Sequence, residues 1–134
     1  MNWINDTQNA INFIESNLLE NINADDVSKY INSSTDYFQK TFHIVTGLSI
    51  SEYIRNRRLT LAGEELVNTQ AKIIDISLKY GYDSPDSFTK AFTRFHGVTP
   101  TAARASSKKL KCFYPLSIKI FIKGGFGMNR KIIP

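Results

Sequence analysis

The sequence predicts an all-α protein of two helix-turn-helix subdomains joined by a long linker helix, with a short C-terminal tail able to form a strand. Three observations carry this prediction. The first is a repeat: Ser34-Thr35-Asp36-Tyr37-Phe38-Gln39-Lys40-Thr41-Phe42 returns as Ser84-Pro85-Asp86-Ser87-Phe88-Thr89-Lys90-Ala91-Phe92. The register continues from Thr46-Gly47-Leu48-Ser49 to His96-Gly97-Val98-Thr99. Upstream, Val27-Ser28 and Ile76-Ser77 match one residue out of step, which puts an insertion near Gly81-Tyr82-Asp83. The second is periodicity. Phe38, Phe42 and Val45, like Phe88, Phe92 and Phe95, keep helical spacing. The third is punctuation, with a serine before each of these helices and a glycine after it.

Taken in order, the first helix should run from Asp6 to about Leu19, with Ala10, Ile11, Phe13, Ile14 and Leu18 inward. Asn23 is the N-cap of a helix over Ala24–Ile31. Asn32-Ser33 makes the first turn, and Gly81-Tyr82-Asp83 the second. Asn and Gly both tolerate the positive φ that a sharp turn demands. Ser34 and Ser84 cap the second helix of each copy. Pro85 sits at a first helical position, where a missing N–H costs nothing.

Ser49-Ile50-Ser51-Glu52 is a capping box. It opens the linker helix, which carries Ile50, Tyr53, Ile54, Leu59 (or Arg58), Leu61 and Leu66 and ends about Asn68. At 1.5 Å per residue it spans roughly 27 Å. The next helix covers Ile73–Tyr80, and a short last helix starts at Thr99 and Pro100.

Composition bounds the function. A 134-residue chain with 42% hydrophobic residues can build a core, so wholesale disorder is excluded. No run is long enough to span a bilayer, and no membrane partner is expected. Met1 to Asp6 carry no basic n-region and no long apolar stretch follows, so no secretory signal and a cytoplasmic location are expected. Cys112 alone makes neither a disulfide framework nor a finger-type zinc site, and with His43 and His96 it is a poor metal set. No cofactor is expected. With no Ser, Cys or carboxylate constellation beside either histidine, no catalytic residue is assigned and the chain is not expected to be an enzyme. The +5 net charge misleads. Residues 1–65 are net −4, residues 66–105 net +2 and residues 106–134 net +7, so a DNA argument must rest on where individual charges sit.

Those positions are suggestive. Opposite the apolar stripe lie Asp36, Gln39, Lys40 and His43 in the first copy. Asp86, Thr89, Lys90 and Thr93 repeat them in the second. A helix that enters the major groove needs such a stripe, because amide, hydroxyl and ammonium groups read the donor–acceptor pattern of base pairs there. The helix starts at Ser34 and Ser84 suit a phosphate. Asp36 and Asp86 either accept from a cytosine amino group or cap their helices. Arg55, Arg57 and Arg58 either touch phosphate or pair with Glu52, Glu64 and Glu65.

These residues resemble the AraC/XylS family of bacterial transcriptional regulators. The resemblance is carried by Ile74-Asp75-Ile76-Ser77, Lys79-Tyr80-Gly81-Tyr82-Asp83-Ser84-Pro85, Phe88-Thr89-Lys90-Ala91-Phe92, Gly97-Val98-Thr99-Pro100 and Arg104. It continues in Phe38-Gln39-Lys40-Thr41-Phe42, Thr46-Gly47 and Tyr53-Ile54-Arg55-Asn56-Arg57-Arg58-Leu59. Ala103 and Ser28 depart from it, where an aromatic residue and alanine are usual. The resemblance covers residues 5–105 and implies a homeodomain-like, tandem helix-turn-helix DNA-binding domain. It implies a sequence-specific regulator whose two recognition helices enter successive major grooves of double-stranded DNA. The implied base readers are Asp36, Gln39 and Lys40, then Pro85, Asp86, Ser87, Thr89 and Lys90. It also implies a monomer on DNA, activation of transcription, and RNA polymerase as a partner. The alternative is a helical protein-interaction module that has lost DNA binding, favoured by the net −2 of residues 1–105.

Residues 106–134 form a linker and a truncated tail by this reading. Ser106-Ser107-Lys108-Lys109 is the linker. Leu116 to Lys123 alternate as in a strand, stopped by Gly124-Gly125. The stretch is similar to the junction that leads, in longer relatives, into a gyrase-inhibitor-like effector-binding domain. Such a domain needs far more residues than follow here. A lone amphipathic strand cannot bury both faces, so the tail is expected to be mobile or to pair with another chain as a dimer element. Its seven basic residues should add salt-sensitive, non-specific attraction to phosphate.

Overall fold

The computed structural model describes residues 2–106, 110–123 and 127–133. The element order is α1 (Trp3–Ser16), α2 (Ala24–Tyr30), α3 (Thr35–Thr46), α4 (Ile50–Asn68), α5 (Ile73–Lys79), α6 (Pro85–His96), α7 (Pro100–Ser106), β1 (Ser117–Lys123) and β2 (Gly127–Ile133). The chain divides into two compact units. One holds residues 1–17, 22–53 and 114–134, the other residues 18–21 and 54–113.

Helices α2, α3, α4 and α6 begin at local caps, and α3 and α6 also end at one. Asn23 and Asp26 form a reciprocal capping box at α2. Ser34 accepts the Tyr37 N–H at α3, and Ser84 the Ser87 N–H at α6. Ser49 and Glu52 close the expected box at α4. Gly47 and Gly97, at φ +77° and +78°, terminate α3 and α6 in the left-handed region.

The two turns are the same device. Asn32 and Gly81 take φ of +57° and +90°. Ser33 N–H donates to the Ser28 carbonyl and Tyr82 N–H to the Ser77 carbonyl, both at 2.9 Å. The copies therefore stay in step through Ser33 and Tyr82, and the inserted residue is Asp83. Buried Ser28 and Ser77 return their hydroxyls to carbonyls of their own helices, Ala24 and Ile74.

In the first unit Ala10, Ile11, Ile14, Val27, Phe38, Phe42, Val45, Ile50 and Tyr53 are buried. Phe42 meets Phe38 and Tyr53 edge-on. Phe13 is only half-buried and stacks on Tyr30 at 4.3 Å. In the second unit Leu59, Ala62, Leu66, Ile76, Tyr80, Phe88, Phe92 and Ala103 form one core. Ala103 is fully buried, so a small residue fills the place of the family's usual aromatic.

Three expectations are corrected. The first helix is Trp3–Ser16, three residues earlier than expected at both ends. Asn2 caps it through the Ile4 and Asn5 N–H groups, and Asn17 closes it through the Phe13 carbonyl. The tail strand is not alone. β1 pairs with β2 antiparallel, from Ser117 opposite Ile133 to Lys123 opposite Gly127. Ile118 N–H donates to Gln8 Oε1 of α1 at 3.0 Å, Leu116 N–H to the Tyr53 hydroxyl at 3.1 Å, and both residues are buried. Ser106, read as linker, ends α7. Ser107 to Lys109 and Gly124-Gly125 lie outside the described residues.

Candidate nucleic-acid interface

Helix α3 turns Phe38, Phe42 and Val45 into the first unit and leaves Ser34, Asp36, Gln39, Lys40 and His43 exposed. The exposed set spans two turns of one face, so its polar ends are available to an incoming surface. Asp36 lies in the first turn, where its charge faces the positive end of the helix dipole. The cap itself is Ser34 rather than Asp36, because the serine is the residue with extended backbone before the helix. Tyr37 and Ile44, 50% and 70% exposed, flank the stripe as an apolar edge that helical periodicity alone did not single out.

Helix α6 repeats the arrangement in its own unit, with differences. Pro85, Asp86, Ser87 and Lys90 are exposed, Ser84 and Thr89 half-buried. The start of α6 is a poorer phosphate seat than expected. Pro85 brings no N–H, Ser84 Oγ holds the Ser87 N–H, and Ser87 Oγ turns back to the Ser84 carbonyl at 3.0 Å. Thr93 sits seven residues after Asp86 and so within about 20° of it around the helix. It is half-buried, and its hydroxyl is buried with no hydrogen-bond partner among the described residues.

The arginines of α4 also separate. Arg57 is buried and donates to the Phe113 carbonyl. Arg58 donates to the Leu18 and Glu20 carbonyls at 2.8 and 2.6 Å and lies 3.3 Å from where a Cβ on Gly81 would stand. Burial pushes its guanidinium below the ordinary range, with Tyr82 acting the other way. Both serve the fold of the second unit. Arg55 remains exposed. Arg104 donates to the Leu66 and Thr69 carbonyls, where α4 ends and its carbonyls lack helical partners. Glu65 is held below the ordinary carboxylate range, first by its hydrogen bond from Lys79.

His96 is structural. Its Nε2 lies 2.8 Å from the Leu59 carbonyl, and its Nδ1 accepts the Lys111 N–H at 3.1 Å. The two contacts define a neutral ring with the proton on Nε2. Burial lowers its pKa; the Leu59 contact opposes this and Lys111 adds to it. Among the described residues no three His, Cys, Asp or Glu are grouped to hold a metal ion. No helix among them is long and apolar enough to cross a membrane.

Two helix-turn-helix units, each offering a polar face on its second helix, define a helix-turn-helix DNA-binding protein. A family model described as a helix-turn-helix domain matches residues 27–106. The transcriptional activator AarP of Providencia stuartii is 37% identical over 94 residues, 70% of each chain. A solved AraC-type DNA-binding regulator from Chromobacterium violaceum superposes at a TM-score of 0.73 with 26% identity, over 78% of this chain and 94% of that one. The DNA-binding domain of AdpA, solved with a target DNA, gives 0.69 at 20% identity over 75% and 90%, and shares the fold. The chain belongs to the AraC family of helix-turn-helix transcriptional regulators. It is a DNA-binding regulator of transcription, and its relatives are regulators rather than enzymes.

Proposed function

We propose that residues 5–105 form the DNA-binding domain and that α3 and α6 enter successive major grooves. The observation that carries this reading is the recurrence of one exposed polar stripe on the second helix of both copies. Gln39 suits the bidentate edge of adenine, and Lys40 and Lys90 the O6 and N7 acceptors of guanine. Asp36 and Asp86 suit a cytosine amino group, while Ser87 and Thr89 tolerate either partner. Pro85 supplies an apolar contact of the kind that reads a thymine methyl. Ser34, Ser84 and His43 lie at the ends of the stripes, where phosphate passes. The chain acts as a monomeric activator in the cytoplasm and contacts RNA polymerase, as its family resemblance implies.

Selection of bound fragments from random DNA, followed by footprinting, tests the proposal. A monomer reading two turns of one face protects an asymmetric site of about 20 bp, its two segments roughly 10 bp apart. A palindromic site occupied only by dimers overturns it. No selected sequence at all returns the chain to the class of protein-interaction modules, which the net −2 of residues 1–105 favours.

A further inference from the structure

A cleft of about 180 Å³ opens in the second unit between α4, α6 and the segment after α7. It is lined by Arg55, Asn56, Leu59, Ala91, Arg94, Phe95 and Lys111. Three of the seven are cations from three separate parts of the chain, and none is an acid. Among the described residues no carboxylate pairs with Arg55, Arg94 or Lys111. Lys111 instead sets its ammonium 4.9 Å from the Phe95 ring centroid. Leu59, Ala91 and Phe95 supply apolar wall between the charges.

This cleft lies off the face proposed to read DNA. On a helix of 3.6 residues per turn, Ala91 and Phe95 point roughly 150° and 170° away from the mean direction of Asp86, Thr89, Lys90 and Thr93, while Arg94 lies roughly 90° away, one turn on from Lys90. A phosphodiester uses the cations and gains nothing from the apolar wall. A free organic anion needs more enclosure, since ligand pockets usually measure about 300–1,000 Å³. A protein segment needs only one anchor here and gains the rest from the surface around it.

We propose that the cleft is a docking site for an acidic–apolar segment of a protein partner. A carboxylate enters between Arg55, Arg94 and Lys111, and a neighbouring apolar side chain lies on Leu59, Ala91 and Phe95. Arginine suits this task because its planar fork meets a carboxylate with two parallel hydrogen bonds. The apolar wall of the site points away from the stripe of α6 and Arg94 borders that stripe, so DNA affinity is measured beside peptide binding to tell the two roles apart.

The test is a nuclear magnetic resonance titration of the full chain with the capped peptide Gly-Leu-Glu-Phe-Glu-Ser. Its glutamine counterpart, sodium benzoate and inorganic phosphate serve as separate probes. The glutamate peptide is expected to shift the Arg55, Arg94, Phe95 and Lys111 amides in a saturable way. The glutamine peptide, benzoate and phosphate should bind at least about tenfold more weakly. The double variant Arg55→Gln, Arg94→Gln should lose the same factor while keeping its melting temperature, because both side chains are exposed. Its affinity for the selected DNA should also be unchanged. Equal binding of both peptides, or no saturation at millimolar peptide, overturns the proposal. Benzoate or phosphate matching the glutamate peptide would make this a small-anion site. A loss of DNA affinity in the double variant would make it a phosphate contact.

Discussion

Gly63 lies in the middle of α4, where alanine is ordinarily better by about 1 kcal/mol. Here a Cβ would stand 2.9 Å from Leu110 Cδ1 and 3.0 Å from His96 Nε2. Leucine can move, but the imidazole is held by Leu59 and Lys111. Overpacking of this kind costs about 1–3 kcal/mol. Gly63→Ala is therefore expected to destabilise the chain in urea unfolding despite its better propensity, and to cost less in a His96→Ala background. His96 also carries a pH dependence. Burial holds its folded pKa below the ordinary 6.5, so the unfolded chain takes up the proton first. Stability should be full above about pH 6.5 and fall as pH drops from there through the lower folded value. Unfolding curves from pH 8 to 5 should show this slope, and His96→Ala should lose it. Thr93 gives the opposite sign to the usual core change. Its hydroxyl is buried without a partner among the described residues, so Thr93→Val should raise stability by about 1 kcal/mol in urea unfolding.

At the scale of elements, α3 and α6 are the same helix written twice, and their exposed lysines should behave alike. Lys40→Ala and Lys90→Ala touch neither core nor cap, so stability should change by no more than about 0.5 kcal/mol. Each should cost about 1–3 kcal/mol of specific binding, read by titration against the selected site. Unchanged titrations for both would remove the stripes from the interface. The start and end of most helices were legible because caps are local chemistry. Ser34, Gly47, the Ser49–Glu52 box, Ser84 and Gly97 each act on neighbours within a few residues. α1 was misplaced because Asn2 was not recognised as its cap.

At the scale of the whole molecule, the tail changes its meaning. As an isolated strand it was expected to be mobile or to pair with another chain. In the structure β1 has a partner strand and buries Leu116 and Ile118 in the first unit. Burying each such side chain is worth about 1.5–3 kcal/mol, so deletion of residues 114–134 should lower stability by at least about 3 kcal/mol in thermal or urea unfolding. An unchanged melting temperature would show that the hairpin adds nothing to that unit. What the sequence alone determined is most of what repeats or acts locally: the two copies, the turns at Asn32 and Gly81, the caps of α2, α3, α4 and α6, the apolar faces and the polar stripes. Periodicity and capping need only a few neighbouring residues, so they are written in order along the chain. Tertiary structure decided what depends on residues far apart. It put Arg57 beside Phe113, His96 between Leu59 and Lys111, and Gln8 against Ile118. It also gathered Arg55, Arg94 and Lys111 around one cleft. Partners 15 to 110 residues apart leave no spacing to read, because their meeting depends on how the helices pack.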